Sequence, residues 1–289
     1  MHRKQRVAAI VAAAATAGAL MIAGPAVAVP DPHLPSVSPT APSLLPTPDH
    51  VVVVVEENRS YDDVASAPYL GFLRSIGADM TDSYAVGHPS ERNYLALWSG
   101  STQGLTNDTC PHTFRAPSLG EQLLTTGRTV AGYFESMPHA GYLGCASGLY
   151  VRRHNPLADF RATSGPESNL PITAFPTDYT ELPTVSLVVP NLNDDMHDGT
   201  VSEADRWLQD NLSGYEAWAE THNSVLIVTW DEDDHSASNH IDTVITGEHV
   251  AHTTSDAPIT HYNVLHTIEQ AYGLDLLGPE AAPIADIWQ

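Results

Sequence analysis

The sequence predicts an α/β fold, in which a mostly parallel sheet is covered on both faces by helices. Three observations carry that prediction. Uncharged, almost wholly apolar runs, such as Val51 to Val55 and "SVLIVTW" from Ser224 to Trp230, need burial on both sides of a sheet. Longer segments with helical spacing of apolar residues separate these runs. The resulting alternation is that of βαβ units, with no internal repeat to suggest a solenoid.

In chain order, Val51 to Val55 reads as a buried strand and Tyr69 to Ile76 as a helix. Pro89-Ser90, followed by an apolar helical pattern through Leu95 and Leu97, opens a second helix. Thr129 to Phe134 and Thr184 to Val189 read as strands, and Val201 to His222 as a long helix. Two more strands, Ser224 to Trp230 and Ile241 to Ile245, precede a closing helix from Asn263 to Tyr272. Residues 146–180 have weak periodicity and several turn residues, the pattern of a long excursion over the sheet edge.

The N-terminus carries a different signal. His2, Arg3, Lys4 and Arg6 precede a mostly apolar stretch from Val7 to Ala23, and Ala26-Val27-Ala28 has the small-residue spacing that signal peptidase accepts. The expectation is a signal peptide over residues 1–28 and a secreted, extracellular protein. The alanine-rich stretch is short and weakly hydrophobic for an anchor, so stable membrane insertion is not expected. Residues 29–48, dense in Pro, Ser and Thr, read as an extended linker, and residues 49–289 as one catalytic domain.

Charge narrows the partners. With 12 Lys and Arg against 35 Asp and Glu, the net charge is -23. A field of that sign repels polyanions, which argues against nucleic acid. The two cysteines, Cys110 and Cys145, form an even set that points to a disulfide in an exported chain.

In open α/β sheets, ligands bind beyond the carboxyl ends of the strands. Two predicted strands end there in oxygen-rich clusters, Glu57-Asn58 and Asp231-Glu232. Opposed carboxylates at one sheet edge repel unless a cation sits between them, so the arrangement asks for a metal. Glu56 or Asp233, taken singly, reads equally well as part of a solvated loop. Ser90 sits at a helix N-terminus, where free N–H groups and the dipole stabilise an alkoxide or a phosphate. Its bland alternative is a capping serine. Asn93, one turn along, is placed to direct its amide at an oxyanion.

The segments "VVVVVEENRSYDDV", "HPSERNYLALWSGSTQG", "ESMPHAG", "RRHNP", "PNLNDDMHDG", "VTWDEDD" and "THYNVLHTIEQAYGL" occur in this order from His50 to Leu274. Together they resemble the bacterial phosphoesterase family of secreted acid phosphatases, phosphatidylinositol-phosphate phosphatases and phospholipases C, a branch of the alkaline phosphatase superfamily. The resemblance implies a three-layer α/β/α sandwich, alkaline-phosphatase-like, and hydrolysis of a phosphate ester through a phosphoenzyme. Carried over by position, it makes Glu57, Asn58, Ser90, Asp231 and Glu232 the metal-binding set and Ser90 the nucleophile. Arg92 stands where related sequences have proline, which leaves the local turn open.

The oxygen donors favour a hard divalent cation, Ca²⁺ or Mg²⁺, over Zn²⁺. Asp195 is a further candidate ligand for a second ion. His154, His197 and His261 fall in the matching segments and are candidates to contact phosphate oxygens or protonate a leaving alkoxide. His235, His240, His249, His252 and His266 read as surface residues. The function implied is a secreted, metal-dependent, monomeric phosphomonoesterase acting on a small-molecule or lipid-headgroup phosphate ester. Two alternatives are a phospholipase C-type phosphodiesterase and a non-catalytic secreted calcium-binding protein.

Overall fold

Five valines in a row have to satisfy two apolar layers, and they do so by alternating. Val51, Val53 and Val55 face Leu95, Leu119, Leu123, Leu265 and Ile268, while Val52 and Val54 face Leu70, Leu73, Leu208, Leu212 and Tyr215. In the computed structural model, which describes residues 45–289, each of the five is 3% exposed or less. Every buried valine contributes about 1.5 kcal/mol or more relative to exposure, so this strand anchors both layers at once.

The described chain begins with β1 (His50–Glu56), α1 (Tyr61–Val64), α2 (Pro68–Ile76), β2 (Ala78–Met80) and β3 (Ser83–Tyr84). It continues through α3 (Glu91–Ser99), α4 (Leu119–Thr125), β4 (Val130–Phe134), β5 (Ala146–Ser147), β6 (Tyr150–Val151), α5 (Pro156–Asp159) and β7 (Asn169–Pro171). Then come β8 (Val185–Val189), α6 (Val201–Ala219), β9 (Ser224–Trp230), β10 (His240–Ile241), β11 (Thr243–Gly247), β12 (Thr253–Ser255), β13 (Ile259–Thr260) and α7 (His261–Ala271). Eight strands form the main sheet in the order β12-β2-β11-β9-β1-β8-β4-β7. Only β11 runs against its neighbours; the other pairings are parallel. Helices α3, α4 and α7 cover one face and α2 and α6 the other, giving the expected three layers.

Several expectations need adjustment. The signal peptide falls outside the described residues, as does the linker up to residue 44. The linker's last residues are packed rather than extended: Leu45 and Pro48 are buried, and Thr47 Oγ1 donates to the Ala271 carbonyl at 3.0 Å. Ile241 to Ile245 is not one strand. Asp242 is fully buried against the Arg74 guanidinium, and there the chain passes from a small sheet (β10-β3-β13) into the main one. Helix α6 stops at Ala219 rather than His222, whose ring Nδ1 lies 2.7 Å from the Trp218 carbonyl and caps the end.

Helix α7 starts earlier than its apolar spacing suggests. Thr260 caps it, and Asn263 reaches back to the Thr260 N–H at 2.8 Å, closing a capping box that leaves His261 in the first turn. The 146–180 excursion includes the β5-β6 hairpin and α5 before β7 joins the edge of the main sheet. Near it, Cys110 and Cys145 form the expected disulfide, with their Cα atoms 5.8 Å apart.

Candidate active site

Strands β1 and β9 are parallel neighbours with Glu56 opposite Trp230, so their next residues emerge side by side at the carboxyl edge. The Asp231 N–H donates to the Glu56 carbonyl at 2.9 Å, and the Glu57 N–H to the Asp195 carbonyl at 2.7 Å. Asn58 then turns the chain through a left-handed conformation, φ 47°, which asparagine tolerates better than most residues. In that turn its backbone N–H meets Asp231 Oδ1 at 3.2 Å and its side-chain amide meets Glu232 Oε1 at 2.9 Å. One residue thereby ties the two oxygen-rich strand ends together.

Ser90 enters from the start of α3. Its hydroxyl makes no capping bond; it donates to Glu57 Oε2 at 3.1 Å. Asp108 takes over the local N-terminal role by accepting from the Glu91 N–H at 3.1 Å. Ser90 is itself 3% exposed, so a hydroxyl that would ordinarily cap a helix is held inside a cluster of carboxyl groups. Asn93 departs from its expected role. Its Oδ1 accepts from the Val86 and Gly87 N–H groups at 3.1 Å, and its amide donates to the Gly87 carbonyl and to Glu232 Oε2. Since its amide protons are engaged there, Asn93 shapes the turn before Ser90 instead of offering a free donor to an oxyanion.

The histidines divide. His154 is buried, its Nε2 3.3 Å from Glu57 Oε1 and its Nδ1 3.3 Å from Asp195 Oδ2, with Tyr94 stacked on the ring. Burial, helped by the charges of Arg153 and His197, holds its pKa well below the ordinary histidine value. His197 stands at the rim, its Nδ1 2.7 Å from Asp198 and its Nε2 3.3 Å from an Arg153 guanidinium nitrogen. His261 is also placed differently from expectation. It is buried beneath the end of β9, its Nε2 bonded to the Trp230 carbonyl at 2.9 Å, and burial pushes its pKa down to about 4. A neutral, sealed imidazole is a poor proton source for a leaving group.

Electrostatics mark the cluster as strained without a cation. Burial first, then neighbouring acids, push the Glu57 and Asp231 carboxyls well above the usual range. Glu232 and Asp195 are each pushed up to about 7, with burial the leading cause. Tyr94 donates its hydroxyl to Glu57 Oε1, yet Asp231 Oδ2 and Asn58 Oδ1 are buried oxygens with no hydrogen-bond partner. Orphaned oxygens in an all-oxygen donor set are what a hard cation would satisfy. A second group, Glu57, His154 and Asp195, brings its ligand atoms within 4.8 Å of one another, which gives Asp195 a setting for its expected role. Glu56 and Asp233 are buried rather than solvated.

Some neighbours were not singled out from the sequence. His88 reaches Glu232 and Asp233, Tyr94 reaches Glu57, and Arg153 reaches His197. For His88 the available cue was its place two residues before Ser90. His266, read as a surface residue, is buried with its nitrogens 2.7 Å from the Ala281 and Leu277 carbonyls.

The family model described as "Phosphoesterase family" matches residues 77–275. A phosphatidylinositol-3-phosphatase from Mycobacterium tuberculosis is 49% identical over 256 residues, covering 86% of this chain and 85% of that one. A phosphate-repressible acid phosphatase from Penicillium chrysogenum is 32% identical over 248 residues, covering 80% of this chain and 60% of its own length. Among solved structures, an alkaline phosphatase superfamily protein from Vibrio parahaemolyticus superposes with a TM-score of 0.55 at 13% identity, covering 80% of this chain and 68% of that one.

Proposed function

This chain belongs to the Phosphoesterase family and is a phosphoric ester hydrolase, and from that premise we propose that it is an exported, metal-dependent phosphomonoesterase working through a phosphoserine at Ser90. The observation that carries the reading is the Ser90 hydroxyl, which is withdrawn from helix capping and directed at Glu57 among carboxyl groups left short of positive charge. Glu57, Asn58, Ser90, Asp231 and Glu232 would hold the cation. When bound, a hard divalent ion such as Ca²⁺ or Mg²⁺ supplies charge that lowers the hydroxyl pKa and offsets charge on phosphate oxygens.

The chain's own groups account for the rest. Ser90 Oγ forms the new bond to phosphorus as the bond to the ester oxygen breaks, and its proton passes to Glu57 Oε2, to which it donates at 3.1 Å. His197, half-buried at the rim beside Arg153, protonates the departing alkoxide and afterwards takes a proton from the water that releases inorganic phosphate. Asn93 and Asn58 hold the two strand ends and the serine turn in register. His154 orients Glu57 and Asp195 from between them.

For substrate, the name of the M. tuberculosis relative supports a phosphate monoester, including one on a lipid headgroup. Export is supported by the closed disulfide, and no helix among the described residues is long and apolar enough to cross a membrane. Membership in an enzyme family sets aside the non-catalytic calcium-binding alternative. The test compares hydrolysis of p-nitrophenyl phosphate with that of bis-p-nitrophenyl phosphate, before and after chelation. A preference for the monoester that chelation abolishes is expected; preference for the diester, or full activity after chelation, overturns the reading.

A further inference from the structure

Glu232 spends its two oxygens in different directions. Oε1 accepts from Asn58 at 2.9 Å, on the side of the oxygen-lined cluster. Oε2 accepts from Asn93 at 3.2 Å and lies 3.0 Å from Nδ1 of His88. That imidazole nitrogen is sealed from solvent and makes no aligned hydrogen bond. The other ring nitrogen of His88 lies 3.2 Å from Asp233 Oδ1. Stacked on His88, with ring centroids 3.8 Å apart, is the exposed imidazole of His235. Ligand atoms of His88, Glu232 and His235 all fall within 4.8 Å of one another.

We propose that His88, His235 and Glu232 form a further cation site on the far side of Glu232 from the oxygen-lined set, selective for a borderline divalent ion of the zinc class. The proposal rests on the reading above, because Glu232 is shared with the oxygen-lined set. Two imidazoles and one carboxylate are a donor set for Zn²⁺, whereas Ca²⁺ and Mg²⁺ prefer oxygen alone. The two clusters therefore sort ions by softness across one bridging carboxylate. Three protein ligands leave a position open for water or an anion, as an exchangeable site requires.

The site can close without rebuilding its surroundings. Asp233 keeps hydrogen bonds from the His235, Ala237 and Asn239 N–H groups at 2.8–2.9 Å even when His88 turns away from it. His235 lies on the loop that those bonds fold back, and its exposed ring is free to leave the stack and bring a nitrogen to the ion. An ion between the imidazoles and Glu232 would give Nδ1 of His88 the partner it lacks.

The test uses the full folded chain, stripped of metal and then saturated with Ca²⁺ to fill the oxygen-lined site. Calorimetric titration with Zn²⁺, and visible absorption of bound Co²⁺ as a reporter of nitrogen ligation, should each show one equivalent. His88→Ala and His235→Ala should each weaken Zn²⁺ binding by at least about tenfold, the lower end of what losing even a supporting partner of a metal ligand costs. His235 is exposed, so that variant carries the test if His88→Ala fails to fold. No Zn²⁺ binding to the Ca²⁺-saturated protein, or unchanged affinity in His235→Ala, overturns the proposal. Asp231→Ala separates the two readings: it should retain Zn²⁺ and lose Ca²⁺, and if it retains Ca²⁺ it is the oxygen-lined site that fails.

Discussion

Of the places where this molecule buries carboxyl groups, two treat them in opposite ways. On the β2-β11 flank, Asp242 is sealed against the Arg74 guanidinium; nearby, Asp205 accepts from the Tyr69 and Leu70 N–H groups at 2.9–3.1 Å. At the carboxyl edge of β1 and β9, Glu57 and Asp231 are just as buried but face each other, Glu232 and neutral hydroxyls. Asp242 and Asp205 are met by donors of their own, whereas the acids at the edge are the ones proposed above for a cation. Unpaired buried charge is costly, and such an arrangement persists where function requires it.

The largest break in that comparison should come from Ser90→Ala. Activity should drop by about three orders of magnitude or more, since the attacking oxygen is gone. The thermal midpoint should fall only slightly, because the hydroxyl makes no capping bond and its loss removes one hydrogen bond to Glu57. Rapid acid quench should find phosphate on Ser90 in the wild type; a label on Ser99 or Thr102 would relocate the nucleophile.

Asp231→Ala sharpens the contrast between function and stability. Turnover and Ca²⁺ binding should vanish, yet the metal-free variant should melt no lower than the wild type, as one of two repelling carboxyls has been removed. A strongly destabilised variant would show that Asp231 is structural after all.

Asp242→Ala should do the reverse. It leaves the buried Arg74 with only the looser Asp79 pair at 3.9 Å, at a cost of about 3 kcal/mol in urea unfolding, while activity per folded molecule is retained. Equal losses of stability and turnover would erase the distinction between the regions.

The smallest effect is in pH. Without metal, Asp195 and Glu232, pushed up to about 7, hold protons in the folded state that the unfolded chain has already released. Their contribution is fully present below the ordinary carboxylate range and is lost as pH rises through about 7. Toward acid the sign reverses, because His154 and His261 remain neutral when folded while unfolded histidines take up protons. Urea midpoints of metal-free protein should therefore decline as pH rises to and through about 7 and level off beyond it, and saturating Ca²⁺ should flatten that limb. Parallel curves with and without Ca²⁺ would contradict a cation at these groups.

What the sequence made legible follows from locality. Val51 to Val55 and Ser224 to Trp230 announce their strands because burial on both faces leaves no charged position and almost no polar one within them. Their polar ends could be paired because parallel strands share an edge. Elements β2 and β12 carry three residues each, too few for periodicity to register. His88 was invisible for another reason: its partners Glu232 and Asp233 lie far along the chain, and only the fold brings them together. His261 and Asn93 were recognised as lying in the right neighbourhood, but their hydrogen bonds were not foreseeable from it. Whether an amide is free or engaged depends on backbone groups such as Gly87 and Trp230, whose position no local pattern encodes.

The run of valines in β1 has a kinetic consequence. Five identical residues, apolar toward both layers, look almost the same after a slip of one or two positions, so hydrophobic collapse alone cannot discriminate between neighbouring alignments. The choice falls to the ends of the strand. His50 lies 3.1 Å from the Pro183 carbonyl at one end, while Glu57 and Asn58 bond to Asp195, Asp231 and Glu232 at the other. A slipped strand would withdraw those anchors together and offer them no substitute. Residues proposed for chemistry thus also fix the alignment of the strand, since only the native register satisfies all of these bonds.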